Sequence, residues 1–347
     1  MKPRLPINIA GGGLAGLTLG IALRQRDIPV VIYEAGSYPR HRVCGEFVCG
    51  RGLVVLRALG LYEKLVAAGA RTAVTASFHS VRRDYRARSL PSPGLCLSRW
   101  VMDDVLAQEF RRLGGELRER ERTAVGNLAP GWVRANGRRL ATGPASAKWI
   151  GLKAHARNVT LAADLEMHFF PDGYVGLCRL PAGEVNVCGL FALRQPLPQL
   201  AAQWPEILRG PAGSGLRERL RTAQFEAASF SAVSALDLTP AAGQPTAECA
   251  VGDALTMIPP VTGNGMSMAF ESAHWAAAPL VAYSRGELDW TAARQTIARQ
   301  CVTGFAGRLR WAAWFQRLLM QDGSREWLLR AGNYSDRLWR LCFAKTR

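Results

Sequence analysis

Apolar positions gather at strand length in residues 7–10 and 29–33, and the segment between them reads as a helix. Residues 5–35 are therefore predicted to form strand, helix and strand. Residues 36–50 are loop-like, rich in Gly, Pro, Arg and Cys. Leu53, Leu56, Leu59 and Leu61 approach helical spacing with Gly60 interrupting, which predicts one or two short helices. Residues 70–98 are strand-like and loop-rich. In residues 100–113, Val101, Val105, Leu106, Phe110 and Leu113 share one side of a helix that stops at Gly114-Gly115. Residues 131–140 read as a hairpin with an Asn136-Gly137 turn. From about 148 to 240 the chain is β-rich, with strands expected at 149–155, 174–180 and 184–190. A helical insertion interrupts this region over roughly 197–224. Another strand, 248–251, leads to a glycine turn and a helix over 265–283; beyond it the chain is helical, with Trp311, Trp314, Trp327 and Trp339 among arginines. Tryptophans at helical spacing predict core packing, and a basic, Trp-bearing amphipathic helix also suits a membrane surface.

Two junctions in this pattern carry chemistry. The first strand runs into Gly11-Gly12-Gly13-Leu14-Ala15-Gly16, and the second ends at Glu34, 18 positions after Gly16. In the order strand, glycine turn, helix, strand and acid, this is a dinucleotide-binding fingerprint in its proper context. Gly11 permits the tight turn, Gly13 lets the backbone approach a pyrophosphate, and Gly16 lets helix and strand pack closely. The helix N-terminus offers N–H groups to the phosphates. Glu34 stands where a carboxylate meets a ribose hydroxyl. The second junction runs from Val251-Gly252-Asp253 through Pro259-Pro260 to Gly263-Asn264-Gly265-Met266. It is a strand ending in a carboxylate, a double-proline turn, and a Gly-x-Gly loop that opens a helix. Such a loop can present backbone N–H groups to an anion or an electron-rich ring. Gly210-Pro211-Ala212-Gly213-Ser214-Gly215 follows no strand and reads as a loop.

Composition narrows the class. The 347 residues are 48% hydrophobic and 20% charged, ordinary for a protein with a sizeable core. The net charge of +17 is unusual, but its arginines are scattered, and no nucleic-acid-binding module is present. The eight cysteines show neither CxxC nor zinc spacing, which fits free thiols in a reducing cytoplasm. No apolar stretch reaches membrane-spanning length.

With both junctions in view, the chain resembles the FAD-dependent monooxygenase superfamily related to p-hydroxybenzoate hydroxylase. Within it the resemblance is closest to the geranylgeranyl-reductase and flavin-halogenase-like branch. It is carried by residues 11–16 with Glu34, Arg40-His41-Arg42-Val43-Cys44-Gly45-Glu46-Phe47, Leu97-Ser98-Arg99 with Asp103 and Leu106, and residues 252–269. The resemblance implies an α/β (α+β) fold: a Rossmann-type FAD-binding domain interwoven with a β-sheet substrate domain and a C-terminal helical region. The expected division is 1–147 with 240–285, then 148–239, then 286–347. The implied cofactor is FAD, held by Gly11, Gly13, Leu14, Ala15, Gly16, Glu34, Ala35, Arg42, Arg99, Asp253, Pro260, Gly263, Asn264, Gly265 and Met266. Of these, Glu34 is expected at the adenosine ribose, Arg99 near the pyrophosphate or ribityl chain, and Asp253 at the ribitol. Residues 260–266 are expected over the isoalloxazine, with Arg42 approaching the flavin. NAD(P)H is expected only as a transient reductant, since a second fingerprint is lacking; alternatively a separate flavin reductase serves.

The activity implied is hydroxylation, through a flavin hydroperoxide, of a hydrophobic aromatic or polyketide-derived secondary metabolite. Phe169, Phe170, Tyr174 and Leu190 are expected to line its pocket. Cys44, Glu46 and His155 are the candidate catalytic residues. Lys153 and His155 share one strand face by period-2 spacing; the plainer reading puts Lys153 at a strand edge and makes His155 a hydrogen-bonded structural residue. A halogenase would carry a Trp-x-Trp-x-Ile-Pro segment, which residues 170–181 lack. A double-bond reductase gains from Cys44-Gly45-Glu46. The family's Ala/Gly-Asp-Gly segment is absent between Arg138 and Trp149, so a degenerate flavin-binding non-enzyme is a further alternative. Partners expected are a small hydrophobic substrate and an acyl carrier protein, with peripheral membrane contact and no nucleic acid.

Overall fold

The computed structural model describes residues 3–123, 129–138, 149–192, 202–236 and 248–347. Its frame is a five-stranded sheet and an eight-stranded sheet joined by helices.

The N-terminal strand β1 (Ile7–Ala10) leads through the glycine turn to α1 (Leu14–Arg24) and β2 (Val30–Glu34). Both strands pair in parallel, with Ile9 opposite Ile32. Nearly every residue of α1 is buried, as expected of a helix that is apolar all round. It lies between this sheet, α4 (Arg99–Arg112) and α7 (Gly265–Ser284). Leu17, Leu19 and Ile21 are fully buried, each contributing about 2 kcal/mol of transfer free energy. The sheet is completed by β6 (Glu116–Glu119), β7 (Trp132–Arg134) and β13 (Cys249–Ala250), in the order β13-β7-β1-β2-β6 and parallel throughout.

That arrangement corrects the hairpin expected at 131–140. β7 pairs in parallel between β1 and β13, and Asn136-Gly137 follows it as a loop beside Gly11. A three-residue strand, Trp132-Val133-Arg134, is too short to carry a periodicity of its own, so the Asn-Gly pair dominated the reading. The stretch between Arg138 and Trp149, where the Asp-Gly segment is absent, lies outside the described residues.

The large sheet has the order β12-β8-β11-β10-β9-β4-β5-β3. Its strands are β3 (Phe47–Val48), β4 (Arg71–Ser80), β5 (Arg88–Cys96), β8 (Trp149–Arg157), β9 (Leu165–Phe170), β10 (Gly173–Arg179), β11 (Val185–Ala192) and β12 (Gln224–Leu236). Neighbours are antiparallel except β4 and β9, which run parallel. Because β3–β5 come from the N-terminal segment, the two expected domains interweave in space. α2 (Arg51–Ala58) and α3 (Tyr62–Ala67) connect β3 to β4, matching the predicted pair of short helices.

Period-2 alternation gives the large sheet two faces. Leu152, Ala154, Val175, Leu177 and Val187 form a core under α5 (Trp204–Leu208) and α6 (Gly215–Arg219). On the other side, Phe169, Tyr174 and Leu190 pack with Phe315, Leu319, Leu328 and Leu329. These come from α8 (Trp290–Leu319) and α9 (Asp322–Tyr334), with α10 (Asp336–Lys345) following. A bidentate pair between Glu271 and Arg308, at 2.6 and 3.0 Å and almost fully buried, ties α7 to α8. Of the C-terminal tryptophans, Trp311 packs on Phe315 and Trp339 on Phe78, whereas Trp314 and Trp327 are exposed at 45% and 64%. Trp314 still packs edge-on against Trp311 and Phe315, so the packing expectation fails only for Trp327, which faces solvent. All eight cysteines are free. Among the described residues, no helix is long and apolar enough to cross a membrane.

Candidate cofactor and active site

A continuous cavity of about 1030 Å³ runs from the glycine turn, across the large sheet, to α8, α9 and α10. At its first end the chain builds a cradle from backbone. Gly11 has φ +114°, and a Cβ there would stand 2.5 Å from Asn136 Cα. A Cβ at Gly16 would lie 1.9 Å from the Gly11 carbonyl oxygen, so only glycine lets α1 approach β1. At Gly13 a Cβ would meet nothing within 4 Å. Gly13 is also the N-cap of α1, without a side-chain cap. The first turn of α1 is therefore open to the cavity, as an incoming pyrophosphate requires.

Glu34 closes the cradle. Its carboxylate accepts from Gly12 N–H and Gly36 N–H, each at 2.8 Å, and pairs with Arg40. Burial alone would raise its pKa, but Arg40 and the two N–H groups outweigh that and bring it to about 2. The Tyr38 hydroxyl donates to the Gly12 carbonyl. Arg42 Nη2 stands 3.9 Å from Glu34 Oε1. That puts Arg42 on the cavity wall beside Glu34, where the 36–50 loop folds back on the end of β2.

Further along the wall, Arg99 grips Asp103 at 2.6 and 2.8 Å. Asp253 is open to the cavity but ringed by protein; that partial desolvation pushes its carboxyl up to about 6 against the pull of Arg99 and Arg138. Buried Arg134 donates to the Ala254 carbonyl at 2.6 Å and fixes the Gly252–Ala254 turn. After the Pro260–Thr262 turn, Gly263 adopts φ +61° and α7 begins. The chain's last residues clamp this loop: Arg347 Nη1 donates to the Thr262 carbonyl at 2.6 Å, and Asn264 Nδ2 to the Thr346 carbonyl at 2.5 Å.

All the expected cofactor residues line the cavity except Gly16 and Asn264. Gly16 acts beneath it by close packing. Asn264 is fully buried under the loop, with its Oδ1 lacking a partner. The open helix terminus, the Glu34 carboxylate at the end of β2 and the Gly-rich loop fit an FAD.

Beyond the cradle, the cavity wall is built from side chains around Glu46. Glu46 is fully buried and holds φ +57°, a left-handed conformation that is strained for this residue. Its Oε2 accepts from His155 Nε2 at 2.8 Å; its Oε1 accepts from Arg99 N–H at 2.9 Å and pairs with Lys153 Nζ at 3.4 Å. Burial opposes the charge, yet His155 and Lys153 keep the Glu46 pKa below its ordinary value. Lys153 Nζ also donates to His41 Nδ1 at 3.0 Å. Burial, with Lys153 and His155 nearby, lowers His41 to about 4, so its ring is neutral at pH 7. Burial raises the pKa of Cys44, which keeps its proton.

Strand alternation explains the gathering. Lys153 and His155 on β8, and Asn186 and Cys188 on β11, point to the same face, where Asn186 Nδ2 donates to the Cys44 carbonyl at 2.8 Å. Lys153 is not at a strand edge: β8 lies between β12 and β11, and its ammonium is fully buried. Cys44, Glu46 and His41 border the cavity, whereas His155 reaches it only through Glu46. Tyr174 and Leu190 line the far chamber as expected. Phe169 packs behind Tyr174, and Phe170 turns to the opposite face against Phe191. Arg134 and Arg347 were missed, with no local pattern to mark them, and His41, though part of the 40–47 motif, was given no role.

Fold and cradle together define an FAD-binding fold of the Rossmann type. Residues 4–150 match the FAD binding domain family. The aurachin C monooxygenase/isomerase of Stigmatella aurantiaca is 38% identical over 69 residues, a stretch covering 20% of this chain and 18% of that protein. Among solved structures, the flavin-dependent brominase Bmp2 superposes with TM-score 0.76 at 15% identity, covering 99% of this chain and 94% of Bmp2. The p-nitrophenol 4-monooxygenase PnpA of Pseudomonas putida DLL-E4 gives 0.76 at 13% identity, covering 100% and 99%. The chain thus shares the fold of flavin-dependent monooxygenases and halogenases, and the resemblance read from its sequence holds.

Proposed function

We propose that this protein is an FAD-dependent monooxygenase that hydroxylates a hydrophobic aromatic or polyketide-derived substrate in secondary metabolism. The observation that carries the reading is the continuity of the cavity. The cofactor cradle and a chamber walled by Tyr174, Leu190, Phe315, Leu319, Leu328 and Leu329 are one space, with Glu46 between them. Bound FAD supplies the electron transfer and oxygen chemistry. The chain's own residues bind, exclude water and move protons. Apolar side chains shed the water that would divert the reaction. Glu46, held ionised by Lys153 and His155, takes a proton arriving at the wall, and neutral His41 passes it outward from Lys153. Arg99 and Asp253 position the cofactor chain. NAD(P)H visits transiently as reductant, or a separate reductase delivers electrons, and the enzyme works in the cytoplasm.

A test couples NADPH oxidation to oxygen uptake with a panel of phenolic and polyketide-derived substrates, followed by product mass. A gain of one oxygen atom with matching oxygen consumption supports hydroxylation; a colourless protein that rejects FAD sinks the proposal. The second reading, reduction of a substrate double bond, is favoured by the protonated Cys44 thiol at the wall. It requires turnover without oxygen and a product gaining two hydrogens.

A further inference from the structure

We propose that His79, Glu166 and His168 form a structural site for a divalent cation of the zinc type, on the side of the large sheet away from Phe78 and Met167 in the flavin cavity. The inference is independent of the reaction assigned above. His79 on β4 and His168 on β9 sit directly opposite in the parallel pair, with rings stacked nearly parallel at 4.5 Å. Glu166 lies two residues before His168, on the same face by alternation. All three are buried, and one ligand atom from each lies within 4.8 Å of the others. Two imidazoles and a carboxylate are the donor set that zinc accepts, with neighbouring ligand atoms about 3.4 Å apart around a tetrahedral ion. His168 Nε2 and Glu166 Oε2, at 3.0 Å, already meet that spacing.

The supporting contacts are those of a metal site. His79 Nδ1 bonds Asp84 Oδ1 at 2.8 Å, the carboxylate–histidine arrangement that orients a ligating ring. With that proton on Nδ1, Nε2 carries the lone pair and now accepts from the Ser77 hydroxyl at 2.7 Å. Glu166 Oε1 is anchored by Ala162 N–H at 2.5 Å, leaving Oε2 to face the histidines. Asp84 is largely exposed and stays on the Nδ1 side of the His79 ring, so a water completes the ion's fourth position. Arg219 is the cation at the cluster, with Nε 3.0 Å from Glu166 Oε2 but no hydrogen bond made by that nitrogen. Its side chain is 19% exposed and swings outward as the ion takes its place. The ion would pin the β4–β9 pair, the one parallel junction in the sheet and the link between its N-terminal strands and the rest.

The test uses the full chain with its flavin, free of any affinity tag, stripped with EDTA and then given Zn²⁺. After desalting, mass spectrometry should count one zinc per chain, and the melting temperature should rise by about 5 °C. His79→Asn and His168→Asn should each reduce retained zinc to background, while His155→Gln keeps the full equivalent. Anomalous scattering at the zinc edge should place the ion between β4 and β9, which decides the matter even where a histidine variant fails to fold. Zinc retention no higher than in the His168→Asn variant, an unchanged melting temperature, or an anomalous peak elsewhere would overturn the site and leave a hydrogen-bonded pin.

Discussion

The two ends of the cavity solve binding in opposite ways. The cofactor cradle comes from one stretch of 28 residues between Ile7 and Glu34 and works through backbone: glycines without Cβ atoms and an open helix terminus. The charge cluster beside it draws Glu46, Lys153, His155 and His41 from two distant segments and works through buried charge. A backbone cradle fails when atoms are added, because packed main chain cannot retreat. A charge cluster fails when atoms are removed, because a buried ion loses its partner.

The largest effect should come from adding atoms to the cradle. Gly16→Val drives a side chain into the Gly11 carbonyl, so we expect about 4 kcal/mol of lost stability and no retained flavin. Gly13→Ala, with open space at its Cβ, should leave the melting temperature of the flavin-free protein within about 2 °C and weaken FAD alone. Equal damage from both variants would show that the cradle is not built on backbone clearance.

At the other end, Glu46→Gln should keep its flavin while turnover falls about 10³-fold. Glu46→Ala, which strands Lys153, should also cost about 3 kcal/mol of stability in urea titrations. Wild-type turnover in the Gln variant would remove Glu46 from the reaction.

Acid should reveal Glu34 next. Its folded pKa is depressed, so its stabilisation is present above the ordinary carboxylate range and is lost as pH falls toward about 2. The loss amounts to about 3 kcal/mol between pH 4.5 and 2. Urea midpoints measured against pH should show this slope in the wild type, and Glu34→Gln should flatten it. The smallest effect is expected at Asp253. Asp253→Asn keeps a hydrogen-bonding side chain at the ribitol position, so FAD affinity should drop only about tenfold, or 1.4 kcal/mol. A loss of a thousandfold by flavin fluorescence titration would give Asp253 a larger part than positioning.

Legibility followed the same divide. The strand–turn–helix cradle and α4 were readable because their constraints are local: a glycine needed here, an apolar stripe there. The Asn136-Gly137 pair misled because a turn signal is also local, and a short buried strand offers nothing to outweigh it. Lys153 was legible as sharing a face with His155, but its position between β12 and β11 depends on strand order, which period-2 alternation does not encode. The clamp of Arg347 and Asn264 on the flavin loop joins residues 82 or more positions apart.

By itself the sequence determined the dinucleotide site, since Gly11, Gly13, Gly16 and Glu34 act within one βαβ unit whose geometry is set by sterics and hydrogen-bond period. Only the tertiary structure decided that Glu46 has Lys153 and His155 for company, and that His79 meets His168. Buried charges need partners, and those partners come from whichever strand the sheet places alongside.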